Sequence, residues 1–206
     1  MSNQQPVVVW DLFVRIFHWS LVILVGVAFL SGDEKSRLHA YVGYTVALLI
    51  ALRLVWGIIG SKHARFANFI TSPGAALSYL KSMFRGTPRH YLGHNPAAAW
   101  MVLVLLLVLL LVNATGYLAL PTQGSQNFST NFAFVTPAWA DEDEDDDDYH
   151  RGKASGSEFW EDVHEVGASL LLALIGLHVF GALASSLLHR ENLVKSMVTG
   201  RKIRRE

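Results

Sequence analysis

The sequence predicts an all-α protein, an integral membrane bundle of four spanning helices. Two observations carry that prediction. First, 51% of the 206 residues are hydrophobic. Second, they gather in four runs, 12–31, 38–59, 97–120 and 163–188, each 20 to 26 residues long. About 20 residues suffice to cross the hydrocarbon core as a helix. A backbone in lipid must satisfy its own hydrogen bonds, so helices are the structure open to such runs. The chain reads as a single membrane domain over 1–206.

The first run, "LFVRIFHWSLVILVGVAFLS", reads as an uncleaved anchor. No lysine or arginine precedes Arg15, and no small-x-small cleavage site follows at "AFLSG", as a signal peptide requires. The second run, 38–59, carries one charge, Arg53. The connector 60–96 is basic and aromatic, and its "SPGAALSYLKSMF" predicts a short amphipathic helix that starts at a Ser-Pro cap. That helix either lies on an anionic leaflet or serves as an ordered connector. The third run, 97–120, has no charge at all and is the plainest span. The loop 121–157 opens with "PTQGSQNFSTNF" and contains "DEDEDDDD" at 141–148. Eight consecutive acids repel one another and predict a solvated, unstructured linker. Its functional reading is a negative collar that steers a positively charged partner. The fourth run, 163–188, is followed by a basic tail.

Seventeen basic and seventeen acidic residues cancel, so the overall balance gives no reason to expect a nucleic-acid partner. The distribution says more. Arg15, the 60–96 connector (Lys62, Arg65, Lys81, Arg85, Arg89) and the tail (Arg190, Lys195, Arg201, Lys202, Arg204, Arg205) lie on one side of the spans, whereas Lys35, Arg37, Arg151 and Lys153 lie on the other. The positive-inside bias therefore puts both termini and the 60–96 connector in the cytoplasm. There is no cysteine, which excludes disulfides, iron–sulfur clusters, thiolate zinc sites and C-x-x-C-H haem attachment. A cofactor must be held without thiols, and nine histidines are available.

His63, His90, His94, His150 and His189 fall in polar loops or at a helix end and read as solvated or interfacial. His18, His39, His164 and His178 lie within or at the edge of spans, where ionisable groups are costly and face the bundle interior with a partner. A single such histidine reads as a hydrogen bond to a neighbouring helix, but four demand more. His164 and His178 are 14 residues apart, or about 21 Å along a helix. Fourteen steps of about 100° end about 40° short of four revolutions, so the two share a face. Matching depths across the alternating spans pairs His39 with His164 near the periplasmic end and His18 with His178 toward the cytoplasm. Two histidines at each of two levels suit two six-coordinate haems, with the porphyrin supplying four nitrogens.

Neighbouring residues support this arrangement. Gly43, Gly167 and Gly181 lie one turn beyond His39, His164 and His178, on the ligand face, where they leave room for a porphyrin or simply let helices pack closely. Arg53 follows His39 by the same 14 residues that separate His164 from His178. It should share that helix face at the inner level, where a haem propionate would meet its need for an anion. Arg15, one turn before His18, either does likewise or snorkels to the interface.

The stretches "RIFHWSL", "RLHAYVGY", "LRLVWGIIGSKHARFANF", "YLGHNP", "EDVHEVGA", "GLHVFGAL" and "HRENLVKSMVTGRK" resemble the bacterial cytochrome b-561 membrane cytochromes. That family includes the cytochrome b subunits of nickel–iron hydrogenases. The resemblance runs from Trp10 to Lys202 apart from 121–157. It implies a four-helix bundle in the bacterial inner membrane holding two non-covalent haems b, with axial ligands matching His18, His39, His164 and His178. It also implies electron exchange between the quinone pool and a redox partner protein. The acidic loop departs from the family core and points to a different periplasmic partner, such as a soluble c-type cytochrome with a basic face.

Other function classes stay open. Within the same family, a freestanding oxidoreductase of superoxide and quinone would need no partner protein. A histidine-lined metal or proton transporter would need carboxylates deep in the spans, and only Glu165, near an end, qualifies. A haem-free anchor subunit would be colourless.

Overall fold

The computed structural model describes residues 6–32, 37–120 and 150–203, with side chains described over 7–32, 37–120 and 158–202. The acidic run 141–148 and the rest of 121–149 lie outside the described residues. In chain order the elements are β1 (Pro6–Val8), α1 (Leu12–Leu30), α2 (Arg37–Ile59), α3 (Phe66–Phe69), α4 (Pro73–Phe84), α5 (Pro96–Leu118), α6 (His150–His189), α7 (Leu193–Thr199) and β2 (Arg201–Ile203). Among the described residues four helices are long and apolar enough to cross a membrane. They match the four predicted runs to within one or two residues, except at the start of α6.

The helix boundaries follow local chemistry. Asp11 caps α1 by accepting from the Val14 N–H at 2.8 Å, and Asn95 caps α5 by accepting from the Ala98 N–H at 2.8 Å with Pro96 in the first turn. Both satisfy donors that a helix start leaves open. The predicted Ser-Pro cap opens α4, with Ser72 accepting from Ala75 N–H. The fourth helix begins at His150 rather than 163. Its polar first turns lie beyond the apolar run, where no hydropathy signal marks a helix.

The spanning helices run up, down, up, down. Helix α1 packs on α2, α2 on α5, and α5 on α6. Val42, Val46, Ile50, Val108, Leu109 and Leu171 form the buried core, flanked by Leu21, Leu24 and Val25 of α1. Most other large apolar side chains point outward, as they must where the solvent is lipid.

One end of the bundle gathers β1, α3, α4, α7 and β2 together with most of the basic residues, and is called the basic end below. There β1 pairs antiparallel with β2, Val7 opposite Lys202. Gly200 makes this clasp possible. Its φ of 78° ends α7 in the left-handed region, its carbonyl accepts from the Val9 and Trp10 N–H groups at 2.8 and 3.1 Å, and a Cβ there would fall 2.6 Å from the Trp10 carbonyl oxygen. Glycine is the residue that tolerates both demands.

Candidate cofactor site

The fold brings the four span histidines together as two pairs. Near the basic end the rings of His18 on α1 and His178 on α6 face each other, centroids 6.4 Å apart at 55°. At the other end His39 on α2 and His164 on α6 stand 5.9 Å apart at 82°. Two metal–imidazole bonds of about 2 Å each, plus the short step from each nitrogen to its ring centre, sum to roughly 6 Å. A single iron between each pair therefore fits both separations. Each pair supplies two nitrogens, and among the described residues no group of three or more His, Cys, Asp or Glu could hold an ion by itself. The donor set suits a metal that arrives in its own macrocycle.

The far pair is oriented from behind. His39 Nδ1 donates to the Ala28 carbonyl on α1 at 2.8 Å, and His164 Nδ1 donates to the Val112 carbonyl on α5 at 2.9 Å. A carbonyl only accepts, so in each ring the proton sits on Nδ1 and Nε2 keeps its lone pair for a metal. Gly116 on α5 lets the helix approach His164, since a Cβ there would lie 2.9 Å from the ring. At the near pair, His18 Nδ1 is buried and has no partner among the described residues.

The predicted glycines divide. A Cβ on Gly43 or Gly181 would meet nothing within 4 Å, whereas one on Gly167 would press on Val112 at 3.1 Å. Gly167 thus serves the α5–α6 contact, and the other two leave space beside the histidines. Between the two levels stand Val46 and Leu171, 3% and 5% exposed. Leu171 lies seven residues from both His164 and His178, and Val46 seven from both His39 and Arg53, so both continue the site's face at mid-depth.

Arg53 is 3% exposed. Its Nη2 donates to the Ala64 carbonyl at 3.2 Å, its guanidinium lies 4.9 Å over the Phe66 ring, and its Nη1 is buried without a partner among the described residues. Gly57 allows Phe66 to come this close, because a Cβ there would overlap the ring. Arg15 also buries an Nε that has no partner among the described residues, and it packs against Gly200. Asp11 accepts from Trp56 Nε1 at 3.1 Å and from the Ser61 hydroxyl. Burial alone would raise its carboxyl, but these bonds, the Val14 N–H and nearby Arg53 outweigh that and hold it below the usual range.

His94 is not the solvated or interfacial group that its polar surroundings predict, and the side chain of His150 lies outside the described residues. His94 lies between Trp10 and Phe69, ring centroids at 4.6 and 4.5 Å. Burial, then the charges of Arg53 and Lys202, push it down to about 3. His189 shares a 3.2 Å hydrogen bond with the Tyr79 hydroxyl, and His90 meets Glu191 at 2.7 Å. These residues are drawn in by tertiary packing at the basic end, which a polar sequence context does not reveal.

The model of the prokaryotic cytochrome b561 family matches residues 9–200. The chain belongs to that family. It is an integral membrane b-type cytochrome and a protein of electron transport. Among curated proteins this b561 cytochrome is similar to one of Rhizobium leguminosarum bv. viciae, 24% identical over 98% of this chain and 90% of the relative. Relatives from Azotobacter vinelandii and Bradyrhizobium diazoefficiens are each 22% identical, over 97% and 96% of this chain and 90% and 86% of theirs. All three carry the name probable Ni/Fe-hydrogenase B-type cytochrome subunit. No solved structure matches the b561 cytochrome significantly. Two residues beside His164 carry no assignment from the sequence: Gly116, and Thr115, whose hydroxyl lies 3.4 Å from His164 Nδ1. The signal for Gly116 was present in "NATGYL", a glycine inside an otherwise apolar span.

Proposed function

We propose that the chain is a di-haem electron carrier, with His18 and His178 holding one haem b and His39 and His164 the other. The observation that carries this reading is the pair of facing imidazoles at each of two depths, at separations that fit an iron. The two imidazoles at each level would hold the haem, and bound haem would supply one-electron chemistry. The protein's own part is to fix the two far imidazoles by their Nδ1 bonds, to exclude water with the Val46–Leu171 layer, and to neutralise propionates with Arg53 and, at the interface, Arg15.

In this reading the basic end faces the cytoplasm of a bacterial inner membrane, as the lysine and arginine bias indicates. Electrons pass between the quinone pool and a redox partner on the periplasmic side. The names of the relatives favour a hydrogenase as that partner. The acidic run at 141–148 favours a second reading, a soluble c-type cytochrome with a basic face, drawn in by long-range charge. Raising salt would slow transfer to such a cytochrome and leave a tightly bound hydrogenase little affected. The scarcity of carboxylates deep in the spans argues against a transporter.

The test is a reduced-minus-oxidised optical spectrum of the detergent-purified chain, with extracted haem counted per chain. Two haems b with low-spin bands are expected. A colourless protein would end the proposal and return the histidines to polar packing.

A further inference from the structure

Arg53 on α2 and His94, just before α5, belong to different parts of the chain and are joined at the basic end through aromatic rings. Arg53 stacks on Phe66, Phe66 lies 5.7 Å from Phe69, and Phe69 lies 4.5 Å from His94. Each of the two buries a nitrogen, Nη1 and Nδ1, that has no partner among the described residues. A buried donor left unpaired costs about 1–3 kcal/mol, and more when it is charged. Both nitrogens are therefore expected to have an acceptor in the working protein.

The charges say which acceptor. The full charges that act on His94 are positive: Arg53 and Lys202 both disfavour its protonation. Asp11, the acid that acts on Arg53, is already engaged by Ser61, Trp56 and the Val14 N–H. Glu191 is engaged by His90 and lies 4.0 Å from Lys202. A region of such sign, holding a free guanidinium nitrogen and a free imidazole nitrogen, suits a carboxylate. Arg53 follows His39 by 14 residues on α2, about 21 Å along the helix, which puts the region at the level of the near histidine pair.

We propose that Arg53 and His94 form a carboxylate site that receives a propionate of the haem held by His18 and His178, with His94 as a positioning residue. This rests on the di-haem reading above. The neutral imidazole donates one hydrogen bond to the carboxylate, while Arg53 supplies a second bond and the compensating charge.

A redox titration of the full detergent-purified chain tests it, with the near centre identified as the one that His18→Ala removes. Taking away the Arg53 charge favours the ferric form, whose extra positive charge the propionate then stabilises unopposed. Arg53→Met is expected to shift that centre's ferric-to-ferrous equilibrium about tenfold, about 59 mV downward for one electron. His94→Leu shifts it severalfold in the same direction, His94→Gln restores most of the shift, and the far centre does not move. Two haems per chain with both potentials unchanged in Arg53→Met and His94→Leu would overturn the site and leave the di-haem reading standing, whereas a wild-type chain without haem would overturn both. If the variants do not accumulate, infrared difference spectra of the wild type with carbon-13-labelled propionates decide. A hydrogen-bonded carboxylate shielded from solvent at one haem supports the site, and solvent-like propionates at both haems overturn it.

Discussion

His39 and His164 face each other at 5.9 Å and 82°, and each is braced by a carbonyl of another helix, Ala28 on α1 for the first and Val112 on α5 for the second. The bracing fixes both ring orientation and tautomer. Replacing either ring should therefore remove one cofactor and spare the other, because the near pair uses different residues. On the di-haem proposal, His39→Ala and His164→Ala are each expected to halve the haem content, from two per chain to one. A pyridine haemochrome assay reads the count. Loss of both haems, or of neither, would contradict independent sites.

Gly116 offers a finer probe of the same level. Its missing Cβ would lie 2.9–3.0 Å from the His164 ring, closer than atoms settle without movement. Gly116→Val should push the ring off its Val112 bond and disturb only the far centre. A redox titration should show one displaced midpoint, or one missing haem, beside an unaltered near centre. Gly176→Ala is the control, since a Cβ there meets nothing within 4 Å.

Much of this arrangement was legible in the sequence, and the reason is periodicity. Apolar runs mark the spans, a 14-residue interval puts His164 and His178 on one face, and the Ser72-Pro73 pair marks the start of α4. What stayed hidden depends on contacts between distant segments. His94 sits in "YLGHNP", a polar loop by composition, and is enclosed only because Trp10 and Phe69 fold over it. The β1–β2 clasp joins three-residue strands from opposite ends of the chain, too short for an alternation signal. The early start of α6 lies in polar residues, where hydropathy is silent.

Leu171 tests the layer between the two levels. It is 5% exposed and packs with Val46, Ile50 and Leu109. In a soluble core, Leu→Ala costs about 2–5 kcal/mol. In lipid the unfolded reference is itself apolar, so the transfer part fades and packing dominates. Leu171→Ala should fall near the lower end, about 2 kcal/mol. Val166→Ala, at a position 70% exposed, should change almost nothing. Denaturation of both variants in the same detergent gives the comparison, and equal effects would mean that the core does not pack as described.

Asp11 links the start of α1 to the end of α2 and the turn after it, through Val14, Trp56 and Ser61. Losing a helix cap costs about 0.5–2 kcal/mol, and here two further donors lose their acceptor as well. Asp11→Ala should accordingly lower the melting temperature in detergent at pH 7. The pH dependence follows from the lowered carboxyl. The folded state binds the Asp11 proton less readily than the unfolded state, so the stabilisation is complete above the ordinary value of 3.8 and is lost as pH falls through the lower folded value. The gap in melting temperature between wild type and Asp11→Ala should hold steady from pH 7 to about pH 5 and narrow only in stronger acid. A gap that narrowed between pH 7 and pH 5 would instead assign the effect to a histidine, since that is where histidines ordinarily titrate.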